Sequence, residues 1–279
     1  MKEKLTIPVD LHTHSIHSDG DYSVADLLNK VKSNGGYHIA LTDHDTCAGV
    51  KEARIIAKQL DLNLIAGVEV STNWQQHVIH ILGLNVDENN DLLQQHLAQL
   101  RHNRDLRARL IADKLSALGI ENVWDGVTKQ CVDPENISRN HFAHFLVLSK
   151  KVANKKEAFA KYLLKGGLAY VPLNCSSLSK TIKVIKGAGG IAVVAHPTRY
   201  KMSFSQLSVM ISQFKHLGGE GIELVNNKDK QIINICKKYS LLASVGTDFH
   251  NDNYKTKVGI NDMLPPTVTT IFNRLKILL

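Results

Sequence analysis

The sequence predicts an α/β fold in which a seven-stranded (β/α) barrel is interrupted by a mostly helical insert. Three observations predict it. Short runs rich in Val, Ile and Leu alternate with helical patterns along most of the chain. Six strand ends bring His, Asp or Glu to what would be one rim, where barrels of this kind gather their chemistry. Between residues 89 and 171 the alternation gives way to helical periodicity alone.

The candidate strands are Ile7–Leu11, His38–Thr42, Asn63–Val70, Val78–Leu82, Ile191–Ala195, Gly221–Val225 and Leu242–Gly246. Most are apolar without polar alternation, the pattern of parallel strands covered on both faces. The helices between them have readable ends. Ser23 with Asp26 resembles a capping box ahead of Val24, Leu27, Leu28 and Val31, and Gly35-Gly36 ends that helix. Pro266 suits the first turn of a C-terminal helix. Such alternation belongs to a doubly wound sheet or a closed barrel, and seven strands with ligand-type residues at their ends favour the barrel. In the insert, Leu92, Leu93, Leu97 and Leu100, then Leu106, Leu110, Ile111 and Leu115, recur at helical spacing. Phe142, Phe145, Leu146, Phe159, Tyr162 and Leu163 continue the pattern. The expected division is a barrel of residues 1–98 and 172–279, with residues 99–171 as an insert contributing to substrate binding.

A chain of 279 residues buries roughly three quarters of the surface its unfolded form exposes, so the core needs no covalent staples. With 43% apolar and 22% charged residues it has the composition of a globular protein, not of a disordered or fibrous one. Cys47, Cys131, Cys175 and Cys236 are scattered, which argues against a disulfide frame or a cysteine zinc site. The N-terminal MKEKLTIPVD lacks the apolar core of a signal peptide, and no apolar run approaches the ~20 residues of a membrane span. A cytoplasmic protein is expected, with no membrane association and no required protein partner. The net charge of +8 is uneven, because Gln99–Val171 holds 13 Lys/Arg against 7 Asp/Glu. A basic segment on a nearly neutral body points to a polyanionic ligand, phosphate or nucleic acid. For the run Lys150–Lys165 a solvated helical face is the plain alternative.

The chemistry is carried by repetition. Asp10-Leu11-His12-Thr13-His14 is followed by Asp19-Gly20, and residues two apart on a strand share a face, so His12 and His14 aim at one point. Thr42-Asp43-His44-Asp45, Gly67-Val68-Glu69, His80 in an apolar run, His196-Pro197 and Asp248-Phe249-His250 follow. A lone histidine on an apolar strand, such as His80 or His196, is usually a hydrogen-bonded core residue. Six such features at one rim change the balance. Burying so many titratable groups together costs several kcal/mol apiece unless cations neutralise them. Imidazole with carboxylate suits Zn, Mn or Fe.

This ordered motif set resembles the PHP (polymerase and histidinol phosphatase) family over nearly the whole chain. Ile79-His80-Ile81-Leu82-Gly83-Leu84, Arg139-x-His141-Phe142, Lys161-Tyr162-Leu163, Tyr170-Val171-Pro172 and His196-Pro197-x-Arg199-Tyr200 are similar to one subfamily, stand-alone 3′,5′-nucleotide bisphosphate phosphatases that include a 5′-to-3′ exoribonuclease. The resemblance implies a distorted seven-stranded barrel binding three divalent metal ions. Carried over by motif, His12, His14, Glu69 and Asp248 would hold the first ion. Glu69 would bridge to a second completed by His80 and His196, and Asp19, His44 and His250 would hold the third. Asp19 stands where other branches have histidine, which hardens the third site and favours Mn over Zn, with Fe a further alternative. Asp43 and Asp45 read as groups that orient ligands or cap helices.

Clustered ions lower the pKa of a bridging water and clamp phosphoryl oxygens. No P-loop or GxSxG is present and no serine or cysteine lies in a nucleophile motif, so attack by metal-activated hydroxide is expected instead of a covalent intermediate. The resemblance implies removal of the 3′-phosphate from 3′,5′-bisphosphonucleotides and 5′-to-3′ trimming of short RNA. The leaving-group acid is not identified; His17 is one candidate, and an exposed loop residue is its plain reading. Arg104 and Arg107 lie three apart and share a helix face. Arg139 and His141 open another helix after Ser138, where backbone N–H groups and Arg can meet a phosphate. Arg199 follows His196 closely enough to reach the site. For each arginine the plain reading is a surface ion pair. Gly167 stands where subfamily relatives commonly have a basic residue, with Lys165 the compensating cation. Trp74 is placed either to stack a base or to pack. The rival readings are a histidinol-phosphate or other small phosphomonoester phosphatase, opposed by Asp19 and the basic insert, and a non-catalytic RNA-binding module, opposed by nine filled ligand positions.

Overall fold

The computed structural model describes residues 6–224, 229–252 and 257–279; Met1 to Leu5 and the expected strand end at Val225 lie outside the described residues. The apolar runs form β1 (Val9–Thr13), β2 (His38–Leu41), β3 (Asn63–Trp74), β4 (His77–Leu84), β5 (Ile191–Val194), β6 (Gly221–Glu223) and β7 (Leu242–Ser244), which neighbour one another in chain order. β1, β2 and β5 are buried along their whole length, as strands covered on both faces must be. Beyond β7 the chain runs back along β1. Leu11 N–H donates to Val245 O (3.0 Å), Asp248 N–H to His12 O (2.9 Å) and His14 N–H to Phe249 O (3.0 Å), so irregular backbone closes the curled sheet. The barrel is distorted for that reason.

The expectation of an all-parallel sheet is corrected at β4. It runs antiparallel to both β3 and β5, while the remaining neighbours on the path are parallel. Only Gln75 and Gln76 separate β3 from β4, and Gln75 takes φ +51, a hairpin that reverses the chain. Pairing with β4 also carries β3 past the predicted end at Val70 to Trp74.

Around the sheet lie α1 (Val24–Ser33), α2 (Val50–Gln59) and α3 (Asp91–Ala117). Ser23 Oγ accepts from Asp26 N–H at 3.1 Å at the start of α1, and Gly35 leaves it at φ +86, a conformation that suits glycine. α3 is 27 residues, about 40 Å long. It runs unbroken through residue 98. Its first turns put Leu93, Leu97 and Leu100 into the barrel core, and its last turns put Ala108, Ile111, Ala112 and Leu115 into a second core. The buried stripe is 93, 97, 100, 104, 108, 111, 115, stepping by three and four. Leu92, Leu106 and Leu110, expected in the apolar pattern, fall off this stripe and are exposed. α4 (Val123–Thr128), α5 (Arg139–Leu148) and α6 (Lys155–Ala158) complete the second core, in which Phe142, Leu146 and Leu163 are fully buried. α7 (Leu178–Gly187), α8 (Phe204–His216) and α9 (Lys230–Lys238) accompany the later strands.

The C-terminal helix expected from Pro266 does not form. The chain passes through a turn, and only Phe272–Leu275 makes a short 3₁₀ turn. Ala243 N–H instead donates to Thr269 O and Ile271 N–H to Ala243 O, so the chain bridges to β7 at Thr270, at the end of the β-branched run Thr267-Val268-Thr269-Thr270. Among the described residues no helix is long and apolar enough to cross a membrane.

Candidate metal centre

His12 in β1 and His14, the residue just beyond its end, point to one place, their Nε2 atoms 3.1 Å apart. The loop after β1 adds Asp19, the segment after β2 adds His44, and the strand interiors of β3 and β4 add Glu69 and His80. His196 follows β5 at φ +28, and Asp248 follows β7 at φ +51, so both stand where the backbone leaves the strand sharply. Glu69 is the hub. Its Oε2 lies 3.3 Å from His12 Nε2, 3.2 Å from His14 Nε2 and 3.0 Å from His44 Nδ1. Its Oε1 lies 2.9 Å from both His80 Nδ1 and His196 Nε2. Asp248 Oδ1 approaches His12 and His14 at 3.2 and 3.0 Å, and Asp19 Oδ1 approaches His250 Nε2 at 3.2 Å. Three sets of donor atoms each fall within 4.8 Å of one another: His12, His14, Glu69 and Asp248; His14, Asp19, His44 and His250; His44, Glu69 and His80. The structure therefore brings all nine predicted residues together, His196 through Glu69.

The site draws positive charge. Burial alone would raise the Glu69 carboxyl, yet the imidazoles of His44, His80 and His12 hold it well below the usual carboxylate range. Asp248 and Asp19 are held down in the same way, by His12 and His14 and by His250 and His44. Burial pushes the His14 imidazole down, but the adjacent carboxylates of Asp248 and Glu69 outweigh it and bring it up to about 10. Although His44 Nδ1 lies near Glu69 Oε2, neither atom has a partner in hydrogen-bonding geometry. Asp19 Oδ1, His80 Nδ1 and His196 Nδ1 are likewise buried and unpartnered. Unsatisfied buried polar atoms are costly, and a cation satisfies several at once. The donor set, imidazole nitrogen with carboxylate oxygen, fits divalent cations.

The sequence profile of the PHP domain matches residues 10–164, more than half of the chain. The chain belongs to the PHP family. It is 41% identical over 251 residues to a 5′-3′ exoribonuclease of Haemophilus influenzae, covering 88% of this chain and 91% of that one. It is 36% identical over 274 residues to a 3′,5′-nucleoside bisphosphate phosphatase of Chromobacterium violaceum, covering 96% of each. A solved amidohydrolase structure from Chromobacterium violaceum, with bound sulfate and no metal, superposes with a TM-score of 0.91 at 36% identity, covering 97% of this chain and 96% of that one.

Around the PHP centre lies a set of buried supporting groups; Asp43 is read as one from the sequence, and Glu223 is the one that no motif revealed. Glu223, at the end of β6, accepts from His12 Nδ1 at 3.1 Å and from the His196 backbone N–H at 2.7 Å. The only signal for it is a glutamate in an otherwise apolar strand. Asp10 accepts from Thr247 N–H (2.9 Å), Thr247 Oγ1 (2.7 Å) and Gly259 N–H (2.9 Å), which ties the Asp248 loop to β1. Asp43 accepts from Ser15 N–H, Ser15 Oγ and Ser18 Oγ and so shapes the loop that carries Asp19. Tyr200 Oη donates to Ala195 O and accepts from His80 N–H.

The PHP centre forms the floor of a cavity of about 840 Å³, whose walls include Arg104, Arg107, Ser138, Arg139, Asn140, Lys165 and Arg199. Arg104 is committed to the structure. Its Nε donates to Asp45 at 2.6 Å and its Nη2 to Ser71 Oγ at 2.7 Å, all buried. Arg107 donates to Val171 O at 2.9 Å; burial, then the nearby Arg139 and Arg104, lower it to about 9. Arg139 lies over the Phe159 ring at 5.8 Å and, among the described residues, its one hydrogen bond is a long one to Leu163 O, at 3.5 Å. Arg199 donates to Asp248. Ser138 caps α5 and its hydroxyl donates to Asp19, while His141 accepts from Ser138 N–H and does not line the cavity. Trp74 packs: it is buried, and its indole N–H donates to Gln213. His17 faces Glu52, outside the cavity. At Gly167 a Cβ would meet Tyr162 and Leu164 backbone at 2.7–2.9 Å, so this backbone admits no basic side chain there, and Lys165 lines the cavity instead.

Proposed function

We propose that this PHP protein is a metal-dependent phosphoesterase that removes the 3′-phosphate from 3′,5′-bisphosphonucleotides and trims short RNA in the 5′-to-3′ direction. One observation carries the reading: a floor of imidazoles and carboxylates and a wall of guanidiniums face one another across a single cavity. A substrate with two phosphates can place one on each. The names of two relatives, one a bisphosphate phosphatase and one an exoribonuclease, support that substrate class.

In this reading His12, His14, Glu69 and Asp248 hold one divalent ion, Glu69 with His80 and His196 a second, and Asp19, His44 and His250 a third, with Mn the favoured metal. Bound there, such ions make a coordinated water acidic near neutral pH and neutralise phosphoryl oxygens. The chain's own groups do the rest. Glu69 presents one oxygen to each side of the floor, and Glu223 holds the His12 ring so that Nε2 faces inward. Arg107 and Arg139 bind the phosphate that does not react, as recessed charge-assisted donors. Arg199 and Lys165 stand at the cavity edge for the nucleotide or the following phosphate. The insert, residues 99–171, supplies most of this wall. The four free thiols suit a reducing compartment and support a cytoplasmic enzyme.

The test is turnover of Mn-loaded protein on histidinol phosphate, 3′-phosphoadenosine 5′-phosphate and 5′-phosphorylated short RNA. The expected order has the bisphosphonucleotide and RNA far ahead. Histidinol phosphate as the best substrate would overturn the reading, and no turnover of any of the three would favour a binding module.

A further inference from the structure

Asp19 sits on a loop, and its two carboxylate oxygens have different surroundings. Oδ2 accepts from Ser138 Oγ at 3.0 Å and from Asn140 Nδ2 at 2.7 Å. Oδ1 is buried, without a hydrogen-bond partner, and faces His250 Nε2 at 3.2 Å and His44 Nε2 at 3.8 Å. Among the described residues both donors to this carboxylate come from the first turn of α5, in the insert. We propose that Ser138 and Asn140 are positioning residues that orient Asp19 and thereby make one cation position of the centre depend on the insert. The inference rests on the metal reading above.

The arrangement is built outward from α5. Ser138 has one hydroxyl proton and gives it to Asp19, while its oxygen accepts from Asn140 N–H at 3.0 Å. Ser138 N–H in turn donates to His141 Nδ1 at 3.0 Å, so the capping box fixes the serine that fixes the carboxylate. This accounts for His141 away from the cavity: it acts through Ser138. Two residues earlier, Asn136 Nδ2 donates to both His17 O (3.1 Å) and His44 O (2.8 Å). Residues 136–140 therefore hold the side chain of one predicted ligand and the backbone of another. With Oδ2 saturated by two donors, Oδ1 is the oxygen left to face His44 and His250, and a one-oxygen ligand results. The barrel's other ligands lean on barrel groups, as His12 and His196 do on Glu223. The Asp19 set draws donors from outside the barrel.

Partners of this kind typically change metal affinity 10- to 100-fold when removed. The experiment is Mn²⁺ binding by the full chain, by equilibrium dialysis with elemental analysis, for the wild type, Asn140→Ala, Ser138→Ala and Ser138→Thr. Alanine is a good helix former and leaves the Ser138 cap in place, so Asn140→Ala removes only the amide that reaches Asp19. The expected result is that one Mn²⁺ equivalent weakens about 10-fold or more in each alanine variant while the others keep their affinity, and that Ser138→Thr restores the wild-type isotherm. Unchanged isotherms in both alanine variants would overturn the proposal, and so would loss of all equivalents together with loss of helical circular dichroism. A wild type that holds fewer than three equivalents overturns the three-ion reading itself, and this proposal with it.

Discussion

On the floor of the cavity, oppositely charged groups crowd together: Glu69 alone has five imidazole nitrogens within 3.3 Å. On the wall, like charges stand together, with Arg107 and Arg139 half-buried and donating to the carbonyl oxygens of Val171 and Leu163. The floor raises the imidazoles of His12, His14 and His250, although burial lowers that of His44, and the wall pushes a guanidinium down. Each region is electrostatically incomplete in the opposite sense. A phosphate ester lying on cations would complete both, beyond the direct link from Arg199 to Asp248. Arg104 breaks the pattern, since its charge is already spent on Asp45.

The strongest way to break this comparison is at the hub. Glu69→Gln should abolish turnover and release metal, measured by assay and elemental analysis, because it removes the charge shared by both halves of the floor. Unchanged activity would sink the multinuclear floor. Next comes Arg104→Ala, which leaves the Asp45 carboxylate buried and unpaired. Loss of a buried partner is worth about 3–5 kcal/mol, so the variant should show a clearly lower Tm. A normal Tm with a raised KM would move Arg104 into the substrate wall. Arg139→Ala and Arg107→Ala should act the other way, raising KM about ten- to hundredfold, roughly 1.5–3 kcal/mol, with kcat less affected. If both variants handle the bisphosphonucleotide normally, the wall is not a phosphate clamp.

The smallest effect belongs to the lysines outside the cavity. Lys150, Lys151 and Lys156 are exposed, Lys155 is half-buried, and none of the four lines the cavity. Neutralising all four should flatten the salt dependence of RNA binding, by about 0.7 in log–log slope for each phosphate that the lysines no longer neutralise. Mononucleotide turnover should stay intact. Equal salt dependence for RNA and mononucleotide in the unaltered protein would reduce the run to a solvated face.

What was legible in the chain is what depends on near neighbours. Two histidines two apart on a strand share a face whatever lies around them, and the caps at Ser23 and Ser138 act on N–H groups within three residues. The run of ligand-type residues at strand ends was enough to specify the floor and the family. The direction of β4 was not legible, because a two-residue turn at Gln75 overrides the alternation of strands and helices. Nor was the fate of Thr267–Thr270, which a helix and a strand partner both suit until β7 is beside it. Leu106 and Leu110 fit a helical period, but only the packed partner decides which stripe of α3 is covered.

The sequence by itself determined the ligand-type motifs, the seven apolar strands and the uneven charge, since composition and short-range periodicity carry these. Tertiary structure alone decided what each polar side chain is bound to. Arg104 meets Asp45 across 59 residues, Ser138 meets Asp19 across 119 and His12 meets Glu223 across 211. A hydroxyl or guanidinium has a few strong directional bonds to give, and burial forces it to give them to whichever partner the fold brings within 3 Å. Two residues read as phosphate ligands, Ser138 and Arg104, were claimed in this way by carboxylates of the barrel.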